Sequence, residues 1–320
     1  MVNEKGILAA MAKMKALGLT QTLGHGIREC SLKTNIIMPK RKRVHLIIVT
    51  DCGGSDEGRY RITAGRCFFP HEPRITFFPT ESMNTLHCGF TAAAHALSTI
   101  DLFGPLRQGE QIGILANAAP RHGTENGRRL RGEDRKPEGE EIYALKLRNG
   151  VWVIGPNAGY NFFFLENQVV ESFLLTDTSG RSTPFRSMEV MVPAFAKIFG
   201  ADFPHLHLTK KKLQVADGED GVFVADWDSH GNIYLVSTVP DKLWVPARNQ
   251  SCAFHIGTRH IARLRHVNGI FAGNTGEQTL TVGSLHLNGK PVYYIVIVGG
   301  NAHSFFGNPP VGTRVQIEEE

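Results

Sequence analysis

The stretch Val44-His45-Leu46-Ile47-Ile48-Val49-Thr50-Asp51-Cys52-Gly53-Gly54 decides the fold. Its β-branched run reads as a strand. The two glycines let the chain turn sharply where the strand ends. An acidic residue at the carboxyl end of a strand is a common ligand position, so Asp51 suits a ribose diol as well as a turn cap. Further along come a strand at Arg74–Phe78, a helix at Gly89–Leu102 and a strand at Gln111–Ala116, an alternation that implies a parallel or mixed sheet. Towards the N-terminus, the run Lys40-Arg41-Lys42-Arg43 is the solvated flank of the first strand, and Ile7–Leu19 forms a short amphipathic helix in an N-terminal appendage.

Residues Arg121–Glu141 carry charge, glycine and proline without apolar periodicity, which reads as a long surface loop. Two strands, Ile142–Leu147 and Val151–Ile154, flank Asn149-Gly150, a hairpin signal. A helix over Met188–Phe199 stops at Gly200. The segment Ala201–Lys212, with Pro204 and a lysine run, reads as a linker. Beyond it, short strands at Gly221–Ala225, Ile233–Thr238, Thr279–Leu287 and Val292–Val298 imply a small antiparallel sandwich or barrel. The expected architecture is an α/β N-terminal domain with a mixed, largely parallel sheet, plus an all-β, barrel-like C-terminal domain. Its boundaries are 1–43 for the extension, 44–200 for the α/β domain, 201–212 for the linker and 213–320 for the barrel.

Composition agrees with two folded domains. The chain has 320 residues, 42% of them hydrophobic and 20% charged, which argues against disordered and fibrous classes. Net charge is +5; the arginines at 121, 128, 129, 131 and 135 are interleaved with Glu125, Glu133 and Asp134, so a nucleic-acid partner is not expected. Five cysteines, widely spaced and without a C-x-x-C pair, argue against a disulfide framework or zinc ribbon and point to a reducing cytoplasm. Lys13 and Lys15 interrupt the N-terminal apolar stretch, and no segment reaches the roughly 20 apolar residues of a spanning helix, so membrane insertion is not expected.

Several side chains invite a chemical reading. His205 with His207, and Asp228 with His230, have the spacing of two metal ligands on one strand face; exposed turn polarity is the plainer reading, and no third ligand stands out. Cys67 and Cys88 lack a Cys-His motif and read as structural thiols. Walker, G-x-G-x-x-G and G-x-S-x-G sequences are missing.

Five turns nevertheless form an ordered series: Thr50-Asp51-Cys52-Gly53-Gly54-Ser55-Asp56, Val153-Ile154-Gly155-Pro156-Asn157-Ala158-Gly159, Phe185-Arg186-Ser187-Met188-Glu189-Val190-Met191-Val192-Pro193, Asp228-Ser229-His230-Gly231-Asn232 and Gly299-Gly300-Asn301-Ala302. In order and spacing, over about residues 45–317, the series resembles the T-D-F-G-x-x-D, V-G-P-D-N-G, F-H-G-R-D-I-F-A-P, D-x-F-G-N and G-x-N-A turns of the family of S-adenosylmethionine hydrolases (hydroxide adenosyltransferases), fluorinase and chlorinase.

The resemblance implies that Asp51, with Asp56 and Asn157 in the neighbouring turns, lines the substrate site. It implies that Asp51 holds the ribose hydroxyls, that Asp228 and Asn232 bind the amino-acid portion, and that Gly300, Asn301 and Ala302 meet the adenine, with Tyr234 stacking on the base. It also implies a homotrimer with sites between subunits, and no cofactor beyond S-adenosylmethionine as substrate or ligand. The chain departs from the family at its chemistry. The D-P-G-V-G segment reads Asn117-Ala118-Ala119-Pro120, the histidine of F-H-G-R-D is Arg186, and Asn288-Gly289-Lys290-Pro291 stands where N-S-x-G is usual. Neither Asn117 nor Arg186 can take a proton from water. Arg186 with Arg128 or Arg129 suits an electropositive pocket for a bound water or an anion. The expected activity is hydrolysis of S-adenosylmethionine to adenosine and methionine, with Asn117, Arg129 and Arg186 at the catalytic positions. The alternatives are a catalytically silent adenosyl-binding protein and a halide-using relative.

Overall fold

A computed structural model describes residues 43–318, apart from 105, 120–139, 181–184, 216–218, 240–244, 258–259 and 288–289. Seven strands form one sheet in the order β2-β1-β3-β5-β4-β6-β7 and seven more close a barrel in the order β10-β11-β12-β13-β9-β8-β14. Three helices matter to the sheet: α1 (Glu57–Cys67), α2 (Thr85–Phe103) and α3 (Val192–Ile198), the last preceded by a π turn at Ser187–Met191. The N-terminal helix and the arginine-rich loop expected from sequence lie outside the described residues.

The decisive strand is β1 (Arg43–Thr50), paired in parallel with β2 (Arg74–Pro79) on one side and β3 (Glu110–Asn117) on the other. Its apolar run is nearly unbroken because both faces are buried. Leu46 and Ile48 pack with Tyr60, Phe68 and Phe195 under α1 and α3, whereas Ile47 and Val49 pack with Leu86, Phe90 and Ala93 of α2.

The hairpin expected at Asn149-Gly150 joins β4 (Ile142–Leu147) to β5 (Trp152–Pro156). Gly150 adopts φ +88°, and Asn149 Nδ2 donates 2.7 Å to Ala96 O of α2.

Two expectations need correction. The sheet is half parallel, not largely so: β1–β2, β1–β3 and β3–β5 are parallel, and β4–β5, β4–β6 and β6–β7 are antiparallel. The expected linker contains strand β7 (Leu206–Lys210), which pairs with β6 (Val169–Asp177) at the sheet edge. Only Leu206 of β7 is buried. An edge strand with a solvated face carries lysines readily, which removes the alternation that would have marked it.

The C-terminal half is a closed barrel of β8 (Val222–Trp227), β9 (Ile233–Ser237), β10 (Ser251–Ile256), β11 (His260–Val267), β12 (Gln278–Leu287), β13 (Lys290–Ile297) and β14 (Arg314–Glu318). One pair, β11–β12, is parallel within the otherwise antiparallel ladder. Val224, Leu235, Phe254, Leu264, Leu280 and Ile295 fill its interior.

The barrel does not stand apart. Phe223, Ala225, Val236, Tyr294 and Val296 belong to the same apolar cluster as Val49, Ile114 and the α2 residues Leu86, Phe90 and Leu97. Helix α2 is therefore covered by the sheet on one side and by the barrel on the other. Asn84 Nδ2 donates 3.1 Å to Val311 O, and His87 Nε2 lies 3.6 Å from Asp226 Oδ1 across the same junction.

On the barrel rim, Arg265 grips Glu277 through Nε at 2.6 Å and Nη2 at 2.9 Å, and the Asn274 N–H adds a bond of 2.7 Å. The Arg265 bond first, and the Asn274 bond second, hold the Glu277 carboxyl down from its ordinary 4.5 to about 2. Because the folded value is the lower one, the associated stability is complete above about pH 5 and is lost as pH falls towards 2. The expected result is that Glu277→Gln melts with a shallower acid dependence between pH 5 and 2 than the wild type. Thermal melts across that range check it, and parallel curves would exclude this pair as a source of acid sensitivity.

Candidate functional site

From β1 the chain passes to β2 on one side and then returns past β1 to β3 on the other. Such a reversal opens a crevice at the carboxyl ends of the strands, the usual ligand position in open α/β sheets. Thr50 and Asn117 are register partners at that end, and Asp51 N–H donates 3.1 Å to Asn117 O. The structure thus brings Asp51 and Asn117 side by side.

The carboxyl ends of these strands carry a polar web. Asn117 Nδ2 donates 2.9 Å to Thr50 Oγ1 and lies 3.7 Å from Cys52 Sγ, and Cys52 N–H donates 3.1 Å to Thr50 Oγ1. Asp51 Oδ2 accepts from Met83 N–H at 3.0 Å, which fixes the carboxylate against the turn before α2; Met83 holds φ +59° there. Burial first, and the Asp51 charge second, push the Cys88 thiol up, so it stays protonated beneath the site. Buried Tyr60 donates 2.8 Å to Ser187 Oγ, and burial raises its phenol far above the ordinary range despite that bond.

Next to Ser187, Arg186 Nη2 donates 2.7 Å to Glu140 O. Burial lowers its pKa, the nearby Glu140 opposes the shift, and the guanidinium remains a cation. The π turn that begins after Arg186 packs against β3 and β5; such turns occur often at functional sites. Arg128, Arg129 and the Asn288-Gly289 turn lie outside the described residues.

Asn161 escaped the sequence reading. Fully buried, it donates through Nδ2 to Ala118 O at 2.6 Å and Pro156 O at 3.0 Å, so it clamps the loop after β3 to the end of β5. Its signal was too local to find: an Asn inside an aromatic run, Tyr160 to Phe164.

Other expected positions are engaged in scaffolding. Asp56 Oδ1 is 3.0 Å from Arg59 Nη1 at the start of α1, and Asn157 Nδ2 donates 2.8 Å to Gln214 O. His207 Nε2 lies 3.2 Å from Thr178 Oγ1, and His205 contacts the Phe203 ring edge-on.

Asp228, Asn232, Tyr234, Asn301 and Ala302 gather on the barrel. Asp228 to Asn232 form the turn between β8 and β9. Asp228 Oδ1 accepts from the backbone N–H groups of His230 at 2.9 Å and Asn232 at 3.0 Å, while Oδ2 accepts from Asn232 Nδ2 at 2.8 Å and Tyr234 OH at 3.5 Å. The turn thereby fixes a negative charge in place. Gly231 holds φ +78°, and a Cβ there would meet the Asn301 carboxamide at 2.2 Å, so only glycine lets the two turns touch. Asn301 Oδ1 accepts from Ser304 N–H at 2.7 Å and caps the short helix α4 (Ala302–Phe305). Gly300 N–H donates 3.0 Å to Ile297 O. Tyr234 lies flat on Tyr294, centroids 4.2 Å apart; burial foremost, then the Tyr294 and Asp228 charges, raise its phenol.

Two solved structures share this fold. One is an uncharacterized conserved protein from Thermotoga maritima, 15% identical with a TM-score of 0.57, covering 86% of this chain and 100% of its own. The other is a conserved hypothetical protein from Thermus thermophilus, 17% identical with a TM-score of 0.54, covering 86% and 99%. No protein-family model and no curated protein matches the chain. At these identities the likeness concerns the fold alone. Among the described residues, no helix is long and apolar enough to cross a membrane.

Proposed function

We propose that the chain binds S-adenosylmethionine and displaces methionine from the ribose carbon with water or hydroxide, giving adenosine and methionine. The observation that carries this reading is Asp51, fixed by Met83 at the carboxyl end of β1 in the crevice where the strand order reverses. A carboxylate there suits the two hydroxyls of a ribose. The ordered turn motifs that resemble the S-adenosylmethionine hydrolase family add the barrel residues: Asp228 and Asn232 for the amino-acid portion, Asn301 and Ala302 for the adenine.

Attack on the ribose carbon forms a C–O bond and breaks the C–S bond. The sulfonium leaves as the neutral thioether of methionine, and the proton of the attacking water passes to solvent. A sulfonium is a good leaving group, so alignment of the reactants and exclusion of bulk water supply most of the acceleration. Asn117 and Arg186 do not act as bases in this scheme; Asn117 orients through its amide, and Arg186 supplies positive potential that favours hydroxide or another anion. The working unit in this reading is a cytoplasmic homotrimer with sites formed between subunits.

A second reading, a silent protein that binds the same ligand, is favoured by one observation: the Asn117 amide and the Arg186 guanidinium are both committed to hydrogen bonds within the fold. Incubation of purified protein with S-adenosylmethionine, followed by chromatography, separates the two. Equimolar adenosine and methionine are expected. Calorimetric binding without turnover would support the silent binder, a 5′-halogenated nucleoside formed in the presence of halide would support the halide-using relative, and no binding would overturn all three.

A further inference from the structure

Beside the Asp228 turn stands a histidine with one ring nitrogen unused. His303 of α4 lies flat on Trp227, ring centroids 4.0 Å apart and planes inclined by 14°. Its backbone N–H donates 2.8 Å to Gly231 O, which seats it on the same turn as Asp228. Its Nε2 is 3.1 Å from Pro309 O. A carbonyl only accepts, so Nε2 carries the ring proton and Nδ1 of the neutral imidazole presents a lone pair. That Nδ1 has no partner among the described residues, and the ring is half-buried.

The neighbouring acceptors are already in use. Both oxygens of Asp228 accept hydrogen bonds from its own turn, with Tyr234 OH 3.5 Å from Oδ2, and Asn301 Oδ1 caps α4. Asn301 Nδ2 is a donor without a partner among the described residues. The segment packed on the Gly231 turn, Asn301 to His303, therefore carries one open acceptor and one open donor on side chains two residues apart. A 6-aminopurine offers the complement: a ring nitrogen that accepts, beside an exocyclic amine that donates.

The geometry points to His303 as a specificity-determining residue whose Nδ1 accepts a hydrogen bond from the exocyclic amine of adenine. This inference rests on the adenosyl reading above. A 6-oxopurine such as inosine sets an oxygen lone pair against the Nδ1 lone pair, and the site rejects it.

The test is calorimetric titration of the full chain with adenosine and, separately, with inosine, for the wild type, His303→Asn and His303→Gln. Asparagine keeps an acceptor near the place of Nδ1 and loses the donor to Pro309; glutamine keeps a donor to Pro309 and loses the acceptor. Wild type and His303→Asn are expected to prefer adenosine by about tenfold or more, and His303→Gln to lose that preference. The opposite ranking of the two variants would show that the ring acts through Pro309 and would overturn the inference. Preference kept by both variants, lost by both, or missing from the wild type overturns it equally, while leaving the adenosyl reading standing. Failure of the wild type to bind either nucleoside overturns the adenosyl reading itself.

Discussion

Replacing Asp51 by alanine is expected to weaken adenosine binding on the order of 100-fold, because the ribose diol loses both bonds to a charged acceptor. The fold should tolerate the change. Asp51 stands at a strand end, its backbone bond to Asn117 survives, and the lost support includes the 3.0 Å bond to Met83 N–H. The Met83 bond accounts for about 1 kcal/mol of the stability lost. Asp51→Asn keeps an acceptor for Met83 but no charge for the diol, so it should recover most of the stability and only part of the affinity. Calorimetry paired with urea unfolding checks both. Equal losses of affinity and stability across the two variants would mean that Asp51 serves the turn and not a ligand.

Gly89→Ala is expected to be the most damaging added methyl among the described glycines. A Cβ at Gly89 would lie 2.0 Å from Tyr160 O and 2.7 Å from Tyr160 C, both backbone atoms that cannot rotate away. Helix α2 presses there on the segment that carries Asn161, so relief requires moving the helix or the loop clamp. Overpacking of this kind costs on the order of 3 kcal/mol. Gly65→Ala in α1 is the control: nothing lies within 4 Å of its Cβ, and a solvent-side helix gains about 0.5–1 kcal/mol from the exchange. Chemical unfolding of the two variants should therefore move the midpoint in opposite directions. A neutral Gly89→Ala would mean that α2 can shift away from Tyr160 at little cost.

The contrast between these helices also explains what sequence reveals. Strands β1 and β3 and helix α2 were legible because each buries two faces and so carries apolar residues nearly throughout. Helix α1 was not: of its eleven residues only Tyr60 and Ala64 are buried, and apart from the exposed Ile62 the rest is charged or small. Strand β10 alternates properly, Cys252, Phe254 and Ile256 inward, but His255 between them and the arginines of β11 disguise the pattern. Asp51 was legible as a candidate from its place at a strand end, whereas Asn117, Asp228 and Asn301 became candidates for an adenosyl site through the resemblance of their turns. His303 could not be found, since nothing in a sequence tells which nitrogen of a ring is spoken for and which is open.

The double burial of α2 has a consequence for ancestry. A helix that owes one flank to the sheet and the other to the barrel ties the fortunes of both halves together. Recombination at residue 212 would hand descendants a bare helix face in one product and an uncovered barrel wall in the other. The pair is therefore expected to be inherited as one piece.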